Sequence, residues 1–290
     1  MYSIILNSNN RVNKGNTNEN DCEYNMDWGV LQDGKYKLTY SISKKFIIPL
    51  TPFQTLIATK IPWAMYKGSS YNSTLQIIPD ESGTGRHAVC SGINLVSSPI
   101  GNRNSVPLNV VSGLKSSSSN IIFPAGSIPS ANTICCLTRY TNPLVQGRLL
   151  AGNGAANNYN FGAYRGQQPT IYEGSSNLEG CNNNAGLTFQ SLNWINACTI
   201  RGNTILAPNQ VLINKIASGT NYLNSTTIGQ LAINSNTDGN DNGDFEMAVV
   251  IIWDNYLTAS ELVIVSNAIE NNGNIKLANA NSLFLSIGIV

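Results

Sequence analysis

Short apolar stretches punctuated by Gly, Asn and Ser run the length of this sequence. Residues 23–28 and 35–42 alternate apolar and polar positions, the period-two signature of half-buried strands. Asp33-Gly34 between them is a strong reversal signal. Further strands are expected at 3–6, 121–123, 133–140, 148–151, 159–164, 170–172, 193–201, 210–213 and 245–253. Several are continuously apolar, as in Met247 to Trp253, which suits a strand buried between two layers. One helix is expected over 258–270. Thr258 is its N-cap, Glu261 completes a capping box, Leu262, Val265 and Ile269 make one apolar face, and Gly273 follows its end. Many short strands with turn residues between them predict an all-β fold, a two-sheet antiparallel jelly-roll sandwich with one short C-terminal helix.

Residues 1–52 read as an N-terminal β extension and 53–290 as the sandwich. The extension's proline-bearing end, Ile48-Pro49-Leu50-Thr51-Pro52, stops the alternating pattern. Three strands are few for an independent sheet. The extension is therefore expected to complete another sheet, either the main domain's or a neighbouring subunit's. Residues 282–290 read as a final apolar strand.

Composition changes the picture mainly through charge. Charged residues make up 11% of the chain, against roughly 25% in an average soluble domain. The net charge of +1 leaves no basic stripe for phosphates, so nucleic acid is excluded as a partner. No apolar run reaches the roughly 18–20 residues a bilayer span needs. The first residues lack a basic n-region and a full apolar h-region, so no signal peptide is expected. Cys22, Cys90, Cys135, Cys136, Cys181 and Cys198 form no metal-ligand spacing. They read as buried thiols, with a Cys181–Cys198 disulfide as the alternative in an oxidising environment.

Catalytic groups are sparse. Asp244-Phe245-Glu246 is the nearest approach to the carboxylate pair of a glycosidase, and it is one Glu short of the pattern in glucanases of this fold class. His87 is the only histidine, and it reads as a structural residue of a turn. No phosphate-binding glycine loop stands in a strand–helix context. The chain is expected to be non-enzymatic. Asp238, Asn240 and Asn242, with Gly243 next, match the first half of a calcium loop and Asp244 follows as a further candidate ligand, but Val249 stands where a bidentate Glu belongs. Ca²⁺ is thus the one candidate cofactor, against a polar connection held by Asx turns. Tyr159, Tyr164, Tyr172 and Trp194, with Asn158 and Arg165 as hydrogen-bonding neighbours, are the candidate glycan platform, against ordinary sheet packing. Trp28, Trp63 and Trp253 are assigned to cores. Asn72-Ser73-Thr74 and Asn224-Ser225-Thr226 are glycosylation sequons.

Four pieces, in this order along the chain, resemble the concanavalin A-like, laminin G-like domains. They are Asp80-Glu81-Ser82-Gly83-Thr84-Gly85-Arg86-His87-Ala88, then Thr133-Ile134-Cys135-Cys136-Leu137-Thr138-Arg139-Tyr140, then Gly147-Arg148-Leu149-Leu150. The last is Val249-Val250-Ile251-Ile252-Trp253-Asp254 with Leu257-Thr258 and Glu261, where Asn255-Tyr256 replaces the commoner Arg-Ala. The resemblance spans residues 61–272. Leu6-Asn7-Ser8-Asn9-Asn10-Arg11, Tyr24-Asn25-Met26-Asp27-Trp28 and Gly34-Lys35-Tyr36-Lys37-Leu38-Thr39-Tyr40 resemble the opening of structural proteins of giant DNA viruses. These resemblances imply a virion component, a minor capsid or surface protein that contacts other particle proteins. The alternative they imply is a lectin-like glycan-binding module, calcium-assisted or not, outside the cell or on its surface.

Overall fold

A computed structural model describes residues 22–30, 36–44, 50–98, 108–153, 159–164, 167–173, 192–201, 210–213, 216–220, 228–235 and 242–270. The chain divides into two units, residues 1–50 with 278–290, and residues 51–277. In the first unit, β1 (Cys22–Val30) and β2 (Tyr36–Lys44) form a two-stranded antiparallel sheet in unbroken register. Among the described residues they pair only with each other. The expected strand at 3–6 and the Asp33-Gly34 turn lie outside the described residues.

The second unit is a two-sheet antiparallel jelly-roll sandwich. It opens with α1 (Pro52–Thr59), β3 (Ala64–Lys67), β4 (Ile77–Ile78), β5 (Ala88–Ser91), β6 (Asn94–Ser98) and β7 (Leu108–Gly113). There follow β8 (Asn120–Ile122), β9 (Asn132–Tyr140), β10 (Leu150–Gly152), β11 (Tyr159–Tyr164) and β12 (Gln167–Glu173). It closes with β13 (Ile195–Arg201), β14 (Gln210–Ile213), β15 (Ile216–Thr220), β16 (Leu231–Ile233), β17 (Phe245–Trp253) and α2 (Ala259–Glu270). The seven-stranded sheet runs β12-β11-β10-β16-β8-β5-β4. The eight-stranded sheet runs β15-β14-β13-β9-β17-β7-β6, with β3 beside β17.

Burial explains the continuous apolar runs. Every residue of β9 and β17 is buried. On one face Ile134, Cys136, Tyr140, Met247, Val250 and Ile252 join the core between the sheets. On the other, Cys135, Leu137, Val249, Ile251 and Trp253 pack with residues of α1 and α2. A register shift between Met247 and Val249 lets β17 serve both cores. Its second edge is then shared by β7 and β3.

The predicted helix is α2. Thr258 Oγ1 accepts from Glu261 N at 3.3 Å, and Glu261 Oε2 accepts from Thr258 N at 2.7 Å. Gly273 lies outside the described residues. Helix α1 was not expected, although Thr51-Pro52-Phe53-Gln54 carries its start signal. Thr51 and Gln54 form a reciprocal capping box at 3.2 and 2.9 Å, with proline in the first turn. Phe53, Leu56 and Ile57 fix α1 to the outer face of the eight-stranded sheet. Lys60 meets Glu261 at 2.8 Å, which ties the end of α1 to the start of α2. Among the described residues no helix is long and apolar enough to cross a membrane.

Cys90, Cys135, Cys136 and Cys198 are free and buried. Burial pushes the Cys90 thiol up to about 12 and holds Cys135 and Cys136 well above the usual thiol range. Cys181, the other half of the alternative disulfide, lies outside the described residues.

The turn after β4 is a clasp built on one carboxylate. Asp80 accepts from Met65 N and Ser82 N at 2.9 Å, from the Thr84 hydroxyl at 2.6 Å and from Arg86 N at 3.2 Å. Gly83 and Gly85 supply the positive φ angles, 87° and 76°, that wrap the chain around it. Arg86 then stacks 4.5 Å from the Trp63 ring centre and donates to its carbonyl at 2.7 Å. His87 is exposed, and its Nδ1 accepts from Asp80 N at 3.0 Å. Burial alone would raise the Asp80 pKa, but the hydrogen bonds from Thr84, Met65 and Ser82 outweigh it and hold it below the usual carboxylate range. A depressed folded-state pKa contributes stability that is present above the unfolded value and lost as pH falls through the folded one. Asp80→Asn is therefore expected to cost about 2 kcal/mol at pH 7. Paired urea titrations should show this gap narrowing below roughly pH 4; a gap independent of pH would contradict the clasp.

Candidate functional site

The two sheets differ in what covers their outer faces. The eight-stranded sheet carries α1 and α2 on its outer face. On the seven-stranded sheet, side chains pointing away from the core begin exposed, with Val89 at 58% and Ser91 also exposed. Successive register pairs join one position from each strand into a single cross-sheet row. It runs Tyr172–Asn160–Ala151–Ala232–Ile122–Val89–Ile77. The neighbours of these residues along their strands, among them Phe161, Leu150, Leu231, Ile121, Cys90 and Ile78, belong to the inter-sheet core. Strict alternation therefore places Asn160, Ala151, Ala232, Ile122, Val89 and Ile77 on the outer face. At about 4.8 Å per strand the row is about 29 Å long.

The row is apolar except near one end. Ala151 and Ala232, 3% and 1% exposed, floor it with nothing larger than a methyl group. Beside them stands Asn160, which is 1% exposed. Neither its Oδ1 nor its Nδ2 has a hydrogen-bond partner among the described residues. An amide holds two donors and an acceptor oxygen, and leaving a buried polar group unmet costs about 1–3 kcal/mol. Next to the row, Asn153 donates to Gln230 Oε1 at 2.7 Å, Ser235 donates to Asn153 Oδ1, and Gln230 donates to the Phe123 carbonyl at 2.7 Å. These rim amides, unlike Asn160, are engaged.

The residues proposed from sequence scatter. Tyr159 is buried in the inter-sheet core, on the face of β11 opposite Asn160. Trp194 is buried beside the eight-stranded sheet, with the Arg139 guanidinium 5.1 Å from its ring centre. Neither ring is a stacking surface, and the two belong to different sheets, which corrects the platform drawn from sequence. Tyr172 takes the register position opposite Asn160, and Tyr164 pairs with Gln167 beyond a register shift. Asn158 and Arg165 lie outside the described residues. Asn160 was missed. It lies between Tyr159 and Phe161, and only the register shows that it faces outward.

The calcium-loop candidates divide likewise. Asp238 and Asn240 lie outside the described residues. Asp244 is buried, and its carboxylate accepts from Lys115 N at 2.8 Å and Asn142 Nδ2 at 3.1 Å. It therefore acts as a brace between loops. Asn234, at a φ of 55°, grips Gly243 through both amide atoms, at 2.7 and 2.8 Å. Asn242 retains a buried Oδ1 without a partner. Among the described residues no three His, Cys, Asp or Glu side chains gather closely enough to hold a metal ion.

The second carboxylate of the glycosidase candidate is also engaged. Glu246 Oε2 accepts from Arg139 Nε at 2.8 Å and from Ser98 Oγ at 2.5 Å. Arg139 Nη2 donates to the same hydroxyl at 2.7 Å, which closes a buried triangle.

No protein-family model and no curated protein matches the sequence. Solved structures do. Domain 4 of AbnA, a GH43 extracellular arabinanase from Geobacillus stearothermophilus solved with arabinotriose, aligns over 71% of this chain and 98% of that domain. The TM-score is 0.51 and the identity 16%. The fold is a shared β-sandwich. A Trypanosoma rangeli sialidase mutant displaying trans-sialidase activity aligns over 72% of this chain but 33% of its own, with a TM-score of 0.50 and 11% identity. The binding domain of Paraclostridial Mosquitocidal Protein 1 aligns over 71% of this chain and 52% of its own, with a TM-score of 0.49 and 16% identity.

Breaking a buried ion pair by removing one partner strands a charge. Glu246→Ala is thus expected to destabilise the sandwich by about 3–5 kcal/mol in denaturant unfolding, and Glu246→Ala with Arg139→Met by less. Equal losses in the single and double variants would show that the pair is not coupled.

Proposed function

We propose that this chain is a non-catalytic glycan-binding sandwich. Its binding face is the outer row of the seven-stranded sheet, around Asn160, Ala151 and Ala232. The observation that carries this reading is the Asn160 amide, buried with its donors and acceptor unmet. An uncharged ligand rich in hydroxyl groups satisfies both ends of an amide, because a hydroxyl donates and accepts. The length of the row suits an extended oligosaccharide, whose ring has to displace what buries Ala151 and Ala232, at 3% and 1% exposure, to reach this amide. The low charge of the chain points the same way, since it offers little to an ionic ligand.

A domain of the same fold has been solved holding arabinotriose, which supports a neutral oligosaccharide as the ligand class. The non-catalytic reading is supported by the two carboxylates of Asp244-Phe245-Glu246, each engaged in internal bonds. The particle-component expectation has behind it only the residues of its N-terminal resemblance.

Asn160→Leu separates binding from structure. Exchanging an unmet buried amide for an apolar side chain of similar shape is expected to leave stability unchanged or raised. Loss of the ligand's hydrogen bonds should weaken binding about 10- to 100-fold. A glycan array followed by calorimetry on the best ligand reads the second quantity, and thermal unfolding the first. Undiminished binding by the variant would refute the assignment, as would clear destabilisation.

A further inference from the structure

The buried thiols have no part in the proposed ligand face, and the register of the eight-stranded sheet sorts them. Cys135 and Cys198 are direct cross-strand partners in the β9–β13 ladder. Both belong to the apolar cluster shared with α1 and α2, so they point to the same face of the sheet. Each is 0% exposed, and α2 lies against both strands. Burial, and next a hydrogen bond with Cys198, raise the pKa of the Cys135 thiol. Cys136 is paired with Ala197 and points the other way, into the inter-sheet core that also holds Cys90.

Opposed residues of an antiparallel pair have Cα atoms about 4.5 or about 5.5 Å apart and Cβ atoms about 4.5–5.5 Å apart. A disulfide takes Cα separations of roughly 4.4–6.8 Å and Cβ separations of roughly 3.5–4.5 Å. Either kind of cross-strand pair meets the first condition, and an approach of about 1 Å between the Cβ atoms meets the second. Among the described residues no third metal-ligating side chain joins the two sulfurs, which leaves pairwise thiol chemistry.

We propose that Cys135 and Cys198 are a cross-strand disulfide site, closed when the chain folds in the presence of a small disulfide oxidant such as oxidised glutathione. One cysteine, as its thiolate, attacks a sulfur of the oxidant; the oxidant's S–S bond breaks and a first glutathione leaves. The other cysteine's thiolate attacks the protein sulfur of this mixed disulfide, which forms the Cys135–Cys198 bond and releases the second glutathione. The two thiol protons end on the two glutathiones, and the two electrons lost by the cysteines reduce the oxidant. A glutathione adduct has no room at a fully buried position, so the exchange runs before α2 covers the strands. Burial then holds the state reached: the closed bond resists reductant and the open pair resists oxidant. Cys198 is thereby assigned to Cys135, not to Cys181.

Refolding the reduced full chain from urea in a glutathione redox buffer, then alkylating free thiols and mapping peptides without reductant, tests this. The majority of molecules are expected to yield a linked pair joining residues 132–140 to residues 195–201. The link should persist in Cys136→Ala and vanish in Cys135→Ala. Folded, reduced protein in the same buffer should close the bond at least 10-fold more slowly than refolding protein. The linked form should unfold at a higher urea concentration than the reduced form, because the bond constrains the unfolded chain between residues 135 and 198. Chain that does not refold from urea is instead produced in an oxidising secretory compartment and mapped in the same way. Alkylation of both Cys135 and Cys198 overturns the proposal, as does a link from Cys198 to Cys136 or Cys181. Equal closure rates in folded and refolding protein, or a lower urea midpoint for the linked form, also overturn it.

Discussion

The pairing of β9 with β17, buried on both faces, is the constraint from which the rest of the sandwich follows. Each strand meets the opposite sheet on one side and the helix-bearing layer on the other. Fully burying a large aliphatic side chain is worth about 1.5–3 kcal/mol, and this pair buries Ile134, Leu137, Val249, Val250, Ile251 and Ile252. A strand pair of that kind needs a layer on each side. Helices α1 and α2 supply the outer one, joined by Lys60 and Glu261 and by the Trp253 indole donating to the Lys60 carbonyl at 3.0 Å. On the outer face of the seven-stranded sheet Val89 and Ser91 stay exposed, while Ala151, Asn160 and Ala232 are buried.

Charge is spent inside this molecule. Asp80, Asp244, Glu246, Arg139 and Arg201 are all buried. Asp80 clasps a turn, Asp244 braces loops, and Glu246 with Arg139 and Ser98 closes a triangle beneath Trp194. Each is met by several donors or acceptors, which offsets the desolvation that a buried charge suffers. With so few charges in the chain, hydroxyls and amides remain for the outside. Several buried polar side chains among the described residues have an atom that is not hydrogen-bonded, and Asn160 differs from the other amides in that both its oxygen and its nitrogen are unmet. It stands on the outer face of the seven-stranded sheet beside Ala151 and Ala232, which are buried with it.

Much of the architecture was legible in the sequence because its signals are local. The limits of β11, β14 and β17 follow from runs of apolar residues, and α2 from a capping box with an apolar stripe. Several strands carried no such signal. β4 and β16 are only two or three residues long, too short for a period to register. β5 exposes Val89 and Ser91, and β6 exposes Asn94, Leu95 and Ser97, so neither carries an unbroken apolar run. Helix α1 hid behind its prolines, although Thr51 and Gln54 announce it. The site was the least legible part. Aromatic residues drew attention to Tyr159 and Trp194, which the fold consumes in its two cores. Asn160 became visible only once register set it beside Ala151 and opposite Tyr172, a relation between strands that no single segment contains.

The central claim is that the outer row of the seven-stranded sheet is the ligand face. Backbone amide chemical-shift mapping during titration with a neutral oligosaccharide, arabinotriose first and then the best glycan on an array, addresses it most directly. The account predicts the largest shifts in β10, β11 and β16, centred on Ala151, Asn160 and Ala232, with little change in β9 and β17. Shifts confined to the α1–α2 side, or to the Asp244 loops with the row unmoved, would contradict it.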